Sequence, residues 1–183
     1  MFILYAVVLG LIAGFLAGGR IGGLAAVQIR WSGAIMAGLL VQVVLFADPV
    51  AERVGDLGPV LYVASTVLVV AAVIRNRALP GMVVVIAGAA CNLAAIVANG
   101  GYMPAGRSAL EALGYVAPTT TYSNSSLVPD PALWPLTDIL ALPAWLPWTN
   151  IFSVGDVLIG AGIATVIVLA MRRPATGLVA KIP

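Results

Sequence analysis

Five long apolar stretches constrain this chain more than any other feature. They run approximately from Phe2 to Gly19, Gly33 to Ala47, Pro59 to Ile74, Gly81 to Ala98 and Phe152 to Met171. About 17–25 mostly apolar residues suffice for a helix to cross the hydrocarbon core of a bilayer. The pattern therefore predicts an all-α integral membrane protein with five transmembrane helices, a single polytopic domain over residues 1–183. The second and third runs are short and need flanking residues or a locally thinned bilayer. The first is read as a span and not as a cleavable signal peptide, because no basic region precedes it and its first positive charge, Arg20, follows it. Composition agrees: 62% of residues are hydrophobic and 9% charged, against about 45–50% and 25% in an ordinary soluble domain.

The same composition excludes several chemistries. Without histidine there is no imidazole base, no Ser-His or Cys-His nucleophilic pair and no His-ligated metal or haem. The single cysteine, Cys91, excludes an intrachain disulfide and a Cys-cluster metal site; in mid-span beside Asn92 it reads as a small packing residue. A formal charge of +2, dispersed along the chain, gives no footing for nucleic acid. No cofactor is expected, and the remaining reactive groups are carboxylates, amides, hydroxyls and a few arginines.

Charge placement sets the expected orientation, since short cytoplasmic loops retain Lys and Arg. With the N-terminus outside, Arg20, Arg30, Arg75, Arg77, Arg172, Arg173 and Lys181 all fall inside, and only Arg53 and Arg107 fall outside. The acidic residues Asp48, Glu52, Asp56, Glu111, Asp130, Asp138 and Asp156 all fall outside. The expectation is N-out and C-in, in a bacterial cytoplasmic (plasma) membrane, with Arg172, Arg173 and Lys181 anchoring the C-terminus to anionic headgroups.

This orientation puts the one long connection, residues 99–151, on the outer face. It holds Trp134, Trp145 and Trp148, three of the four tryptophans, and seven of the twelve prolines. Indole rings favour the headgroup level, so the loop is expected to form a cap on the outer surface. Residues Gly106 to Leu113 suit a short helix with Arg107 and Glu111 at i and i+4. Pro129 to Pro147 has too many prolines for a long helix and should be extended or broken. Asn124-Ser125-Ser126 fits a glycosylation sequon on the same face.

Within the spans, Gly10, Gly14, Gly18 and Gly22 repeat at a spacing of four. Small residues let helix backbones approach in lipid. The face suits packing within the chain, or a seam for a homo-oligomer or another membrane protein. Gln42, Asn92 and Asn99 are the notable amides in the spans, and such groups face a bundle interior where they find partners.

Several words recur together in a family of uncharacterised bacterial polytopic proteins, a domain of unknown function, which this chain resembles over nearly its whole length. They are Gly18-Gly19-Arg20, Gln42, Leu79-Pro80-Gly81, Gly88, Asn92, the run Asn99-Gly100-Gly101-Tyr102-Met103-Pro104, and the run from Asn150 to Ile159. The resemblance implies a fold and a membrane location but no activity. A second resemblance covers about a fifth of the chain. Thr137-Asp138-Ile139-Leu140 and Phe152-Ser153-Val154-Gly155-Asp156 are similar to the two aspartate words of lipoprotein signal peptidases, the aspartic proteases of the bacterial membrane. The chain departs from them in having Ser153 where they have asparagine, in lacking the Asn-x-x-Asp-Arg word, and in having an extra span.

Two functional readings follow. In the first, the protein is not an enzyme but binds a lipid-like ligand or a membrane partner in an outer-face pocket lined by Asn92, Asn99, Tyr102, Asp138, Asn150 and Asp156. In the second, which the peptidase resemblance implies, Asp138 and Asp156 act as a carboxylate pair on a water, with Asn99 and Asn150 orienting it. Each aspartate also has a local structural use. Ser153 and Asp156 form an S-x-x-D capping box at the start of the last span, and Asp138 suits a turn. A transporter is disfavoured, since no charge lies in mid-span and no inverted repeat is visible.

Overall fold

The protein is described by a computed structural model over residues 2–114, 125–126 and 128–173. The sequon's Asn124 and the distal Lys181 lie outside the described residues. The five apolar runs form five helices: α1 (Phe2–Leu16), α2 (Ser32–Leu45), α4 (Leu57–Arg75), α5 (Met82–Ala98) and α7 (Val154–Met171). Two short helices, α3 (Asp48–Ala51) and α6 (Arg107–Ala112), sit in the connections, with 3-10 turns at Ile21–Ala26 and Trp134–Leu136. Two residue pairs, β1 (Met103–Pro104) and β2 (Ser125–Ser126), run parallel, and β3 (Leu140–Ala141) pairs antiparallel with β4 (Ile151–Phe152). The chain is thus mainly helical, as expected, with small β pairings confined to the connection between α5 and α7.

Of the five, α4 and α7 are long and apolar enough to cross a membrane. At about 1.5 Å per residue their 19 and 18 residues reach roughly 27–29 Å. The others are apolar but shorter, at 15, 14 and 17 residues. The first stops three residues short of the expected Gly19, for a local reason. Gly18 takes a left-handed φ of +77°, its N–H donates to Phe15 O and the Gly19 N–H to Gly14 O, both at 2.9 Å. That pair of bonds is a Schellman stop, which favours glycine at its left-handed position. The same device ends α5: Gly100 is left-handed at +70°, and the Gly101 N–H donates to Ile96 O at 2.8 Å.

The helices pack side by side in the order α1, α7, α5, α4, α2. Close approaches fix their directions. A Cβ placed on Gly10 would meet Ala164, and one on Gly14 would meet Met171, so α1 runs parallel to α7. Gly88 abuts Gly155 and Ile159 while Gly81 abuts Gly162 and Thr165, so α5 is antiparallel to α7. Gly38 rests on Ser65 and Val69, and Gln42 Nε2 donates to Ser65 Oγ at 3.3 Å and Thr66 Oγ1 at 3.2 Å, which makes α2 antiparallel to α4. Gly101 against Pro59 gives the same relation for α5 and α4. The five helices therefore alternate in direction along the chain.

Of the Gly10/Gly14/Gly18/Gly22 series, only the first two meet α7. Because the helix has already ended, a Cβ on Gly18 or Gly22 would meet nothing within 4 Å, and it is Gly19 and Gly23 that press on Met171 and Ala170. The Arg20 N–H also donates to Met171 O at 2.8 Å, closing the end of α7.

Alternation gives the bundle two unlike ends. One carries residues 17–31, 76–81 and 172–173, with Arg20, Arg30, Arg77, Arg172 and Arg173, and Arg75 in the last turn of α4. The other carries α3, α6 and the α5–α7 connection, hereafter the cap, with all the carboxylates. At the arginine end Asn76, buried, clasps the preceding loop: its Oδ1 accepts from the Arg30 N–H and its Nδ2 donates to Arg30 O, both at 2.8 Å. At the cap end Leu45, Ala51, Tyr62, Ala95, Ile96 and Met103 form the buried core, and Tyr102 and Leu136 pack on it from the cap. The core therefore joins the ends of α2, α4 and α5 to the cap. Along the shafts, apolar side chains face outward: Leu16 is 85% exposed, Met36 67% and Val43 68%.

Candidate functional site

The cap is built from three fixings. The first is an amide clasp at the end of α5. Asn99 Nδ2 donates to Ala95 O at 2.7 Å and to Ala132 O at 2.9 Å, and its Oδ1 accepts the Ala132 N–H at 2.9 Å. A side-chain amide matches both halves of a peptide unit, so Asn99 holds residue 132 as a neighbouring strand would. The gripped segment is flanked by Asp130 and Leu133, left-handed at φ 49° and 52°. That conformation is unfavourable for leucine. We expect Asn99→Ala to destabilise the protein by about 1–2 kcal/mol and to free residues 128–134, read as faster amide exchange at Ala132 and faster proteolysis there. Unchanged exchange would show that the strained segment holds itself.

The second fixing is at Asp138. Its buried backbone lies beside the β1 segment, its N–H donating to Pro104 O at 2.9 Å and its carbonyl accepting from the Gly106 N–H at 2.8 Å. The third is the β3–β4 hairpin, closed by the Leu142 N–H donating to Asn150 O at 3.1 Å. Asn150 Nδ2 donates to Ile151 O at 2.7 Å. The loop carries Trp145, 81% exposed, and Trp148, 72% exposed. Phe152 stacks on Phe2 with ring centroids 4.3 Å apart, and the Tyr5 hydroxyl donates to Pro147 O, so α1 supports the hairpin.

Beneath the cap, at the α5–α7 seam, Asn92, Ser153 and Asp156 form a closed network. Asn92 Nδ2 donates to Asp156 Oδ1 at 2.8 Å, and the Ser153 hydroxyl donates to Asn92 Oδ1 at 2.8 Å. The Asp156 N–H donates to Ser153 Oγ at 3.0 Å and the Ser153 N–H to Asp156 Oδ2 at 3.2 Å. The last two bonds are the S-x-x-D capping box expected at the start of α7. Gly88 and Gly155 bring the two backbones close enough for Asn92 to reach across. Both Asp156 oxygens thus have protein donors, which gives this carboxylate a structural use.

The six residues expected to line one pocket are placed as follows. Asn92 and Asp156 meet at the helix seam, Asn99 grips Ala132, Tyr102 packs on the core, Asp138 is buried beside β1, and Asn150 sits at the neck of the hairpin. A cleft lies in the cap. It has a volume of about 330 Å³ and is lined by Gly106, Arg107, Pro129, Asp130, Trp134 and Thr137, among others. Among the described residues, no hydrogen bond or ion pair engages the Arg107 guanidinium or the Asp130 carboxylate. Thr137 stiffens the wall, since its hydroxyl donates to Trp134 O at 2.8 Å. A second depression, about 430 Å³ and nearly all apolar, runs between α4 and α5 along Pro59, Val60, Val63, Ala64, Val97 and Gly101.

Cleft and groove each have a wall next to one side of the Asn99 clasp. Gly100, next to Asn99, lines the groove, and Pro131, next to Ala132, lines the cleft. Sequence reasoning missed both, because their walls come from segments more than twenty residues apart; the only local signal was the Trp- and Pro-rich composition of the cap. It also missed Asn76, which in sequence is simply a polar residue among arginines.

Among the described residues no group of three or more Asp, Glu or Cys side chains is placed to hold a metal ion. No curated protein and no solved structure matches the chain, so the similarity to lipoprotein signal peptidases gains no support from either comparison. A family match covers residues 26–168, from the end of the first 3-10 turn to near the end of α7, and so includes clasp, network, cleft and groove. The chain belongs to that family, described as a family of unknown function (DUF5317).

Proposed function

We propose that this is an integral membrane protein of the bacterial cytoplasmic membrane that crosses it five times, N-out and C-in, and binds a lipid-like amphiphile through its outer cap. The observation that carries the reading is the combination of apolar side chains turned outward along the shafts with charge of opposite sign at the two ends. A soluble monomer rarely exposes contiguous apolar surface on this scale, and a row of cations at one end fits the side that stays in the cytoplasm. The shorter helices α1, α2 and α5 reach across by local thinning and by the turns that extend them. Exposed Trp134, Trp145 and Trp148 suit a cap lying at headgroup level. A polar cleft and an apolar groove flanking one clasp suit an amphiphile: headgroup in one, chain in the other.

The test is site-directed labelling in intact cells. In a Cys91→Ser background, we expect Ser108→Cys, exposed in α6, to react with a membrane-impermeant maleimide from outside. Ala78→Cys, exposed between α4 and α5, should react only after permeabilisation. The reverse pattern, or labelling of both from one side, refutes the topology.

A further inference from the structure

We infer that the cap cleft selects a zwitterionic aminophosphate headgroup, of the phosphoethanolamine type, borne by a membrane phospholipid. This rests on the amphiphile reading above and names the ligand's polar end. The walls present one guanidinium, Arg107, one carboxylate, Asp130, and one indole, Trp134. Both charges are exposed and, among the described residues, neither is neutralised by a protein partner. Two charges of opposite sign lining one cleft, without a protein partner among the described residues, match a ligand carrying both signs. Arg107 offers the planar fork that suits phosphate oxygens; Asp130 offers an acceptor for an N–H bearing cation.

The alternatives fit less well. A net anionic headgroup would satisfy Arg107 and be repelled by Asp130. A quaternary ammonium has no N–H to donate to a carboxylate and is recognised by several aromatic faces together; the described walls supply a single indole. Size points the same way, since about 330 Å³ lies at the low end of the roughly 300–1,000 Å³ typical of small-ligand sites, space for a headgroup with its chains left outside. The apolar groove beside the Asn99 clasp and the exposed indoles of the cap favour a lipid over a free solute as the source. The site is also preset: Asp130 is left-handed and Thr137 locks the Trp134 turn, so little ordering is left for binding to impose.

The experiment titrates the purified full chain in detergent with the dihexanoyl forms of phosphatidylethanolamine, phosphatidylcholine and phosphatidylglycerol, and with free phosphoethanolamine, by calorimetry. We expect the ethanolamine lipid to bind at least tenfold tighter than the other two lipids, and tighter than free phosphoethanolamine. Asp130→Asn should abolish that preference and Arg107→Ala should weaken binding of all three lipids at least tenfold, both leaving the thermal midpoint unchanged; asparagine tolerates the left-handed backbone at position 130. Equal binding of the three lipids, an unaltered preference in Asp130→Asn, or unaltered affinities in Arg107→Ala overturns the headgroup assignment and leaves the amphiphile reading standing. Free phosphoethanolamine binding as tightly as its lipid overturns the lipid source. Binding of none of the four overturns the amphiphile reading as well.

Discussion

Gly155→Ala should abolish accumulation of the folded protein, whereas Gly22→Ala should leave it near wild type. Both replace glycine by alanine, so any difference lies in the surroundings. At Gly155 a new Cβ would overlap Asn92 Oδ1 and lie 2.7 Å from both Asn92 Cγ and the Gly88 carbonyl oxygen. Backbone cannot yield cheaply on one side, and on the other lies the amide that ties Ser153 to Asp156. Forcing a methylene into a packed contact costs about 1–3 kcal/mol, and breaking the partly buried hydrogen bonds behind it adds a further ~1–3 kcal/mol. At Gly22 the added atom would meet nothing within 4 Å. The measurement is the fraction of monodisperse protein after detergent extraction, with thermal midpoints for whatever survives. A Gly155→Ala variant as stable as Gly22→Ala would mean that α5 and α7 do not approach as described.

Asn92→Ala should come next in severity, at about 2–5 kcal/mol, and its cost should shrink when Ser153 is changed as well. Removing the amide leaves the Ser153 hydroxyl proton and Asp156 Oδ1 without their partners, one of them on a carboxylate at a partly buried seam. A polar group left unpaired costs more than the bond was worth, because its desolvation stays uncompensated. Ser153→Ala alone loses the helix cap, about 1 kcal/mol, and leaves Asn92 Oδ1 without its donor. In the double variant part of each penalty is shared, so the thermodynamic cycle should show a coupling of at least ~1 kcal/mol. Additive losses would show that Asn92 and Ser153 act separately. Asn92→Asp, which sets a second carboxylate against Asp156, should be at least as harmful as Asn92→Ala.

These two predictions mark where sequence reasoning reached and where it stopped. The capping box was legible because Ser153 and Asp156 are three residues apart and local rules govern helix starts. The same holds for the short helix near Arg107 and for the broken stretch around Trp134 to Pro143. That Asn92 needs a partner was legible; that the partner is Asp156, 64 positions away, was not. In a helix that is apolar on every side, periodicity does not tell which face meets a neighbour. Only the small and polar residues reveal it, as Gly10, Gly14, Gly88 and Gln42 do. The glycine series failed after Gly14 because a spacing of four has meaning only while the helix continues, and Gly18 itself ends it. The cleft escaped notice because Arg107 and Asp130 belong to different segments and look, in sequence, like ordinary loop charges.

The pairing of α1 with α7 has a consequence for how the protein is made. A ribosome releases α1 first and α7 last, with about 140 residues between them. While those are synthesised, α2 and α4 can pair as soon as residue 75 emerges, and α5 can join them some twenty residues later. The glycine face of α1 has no such early mate, since among the described residues its helix neighbour is α7. Gly10 and Gly14 must therefore wait, uncovered, until α7 has been made. Assembly closes by joining the first of these helices to the last, with the Arg20 amide sealing the finish of α7 at one end and Phe2 meeting Phe152 at the other. A chain stalled before residue 154 would hold an orphaned first helix, a natural handle for chaperones or proteases.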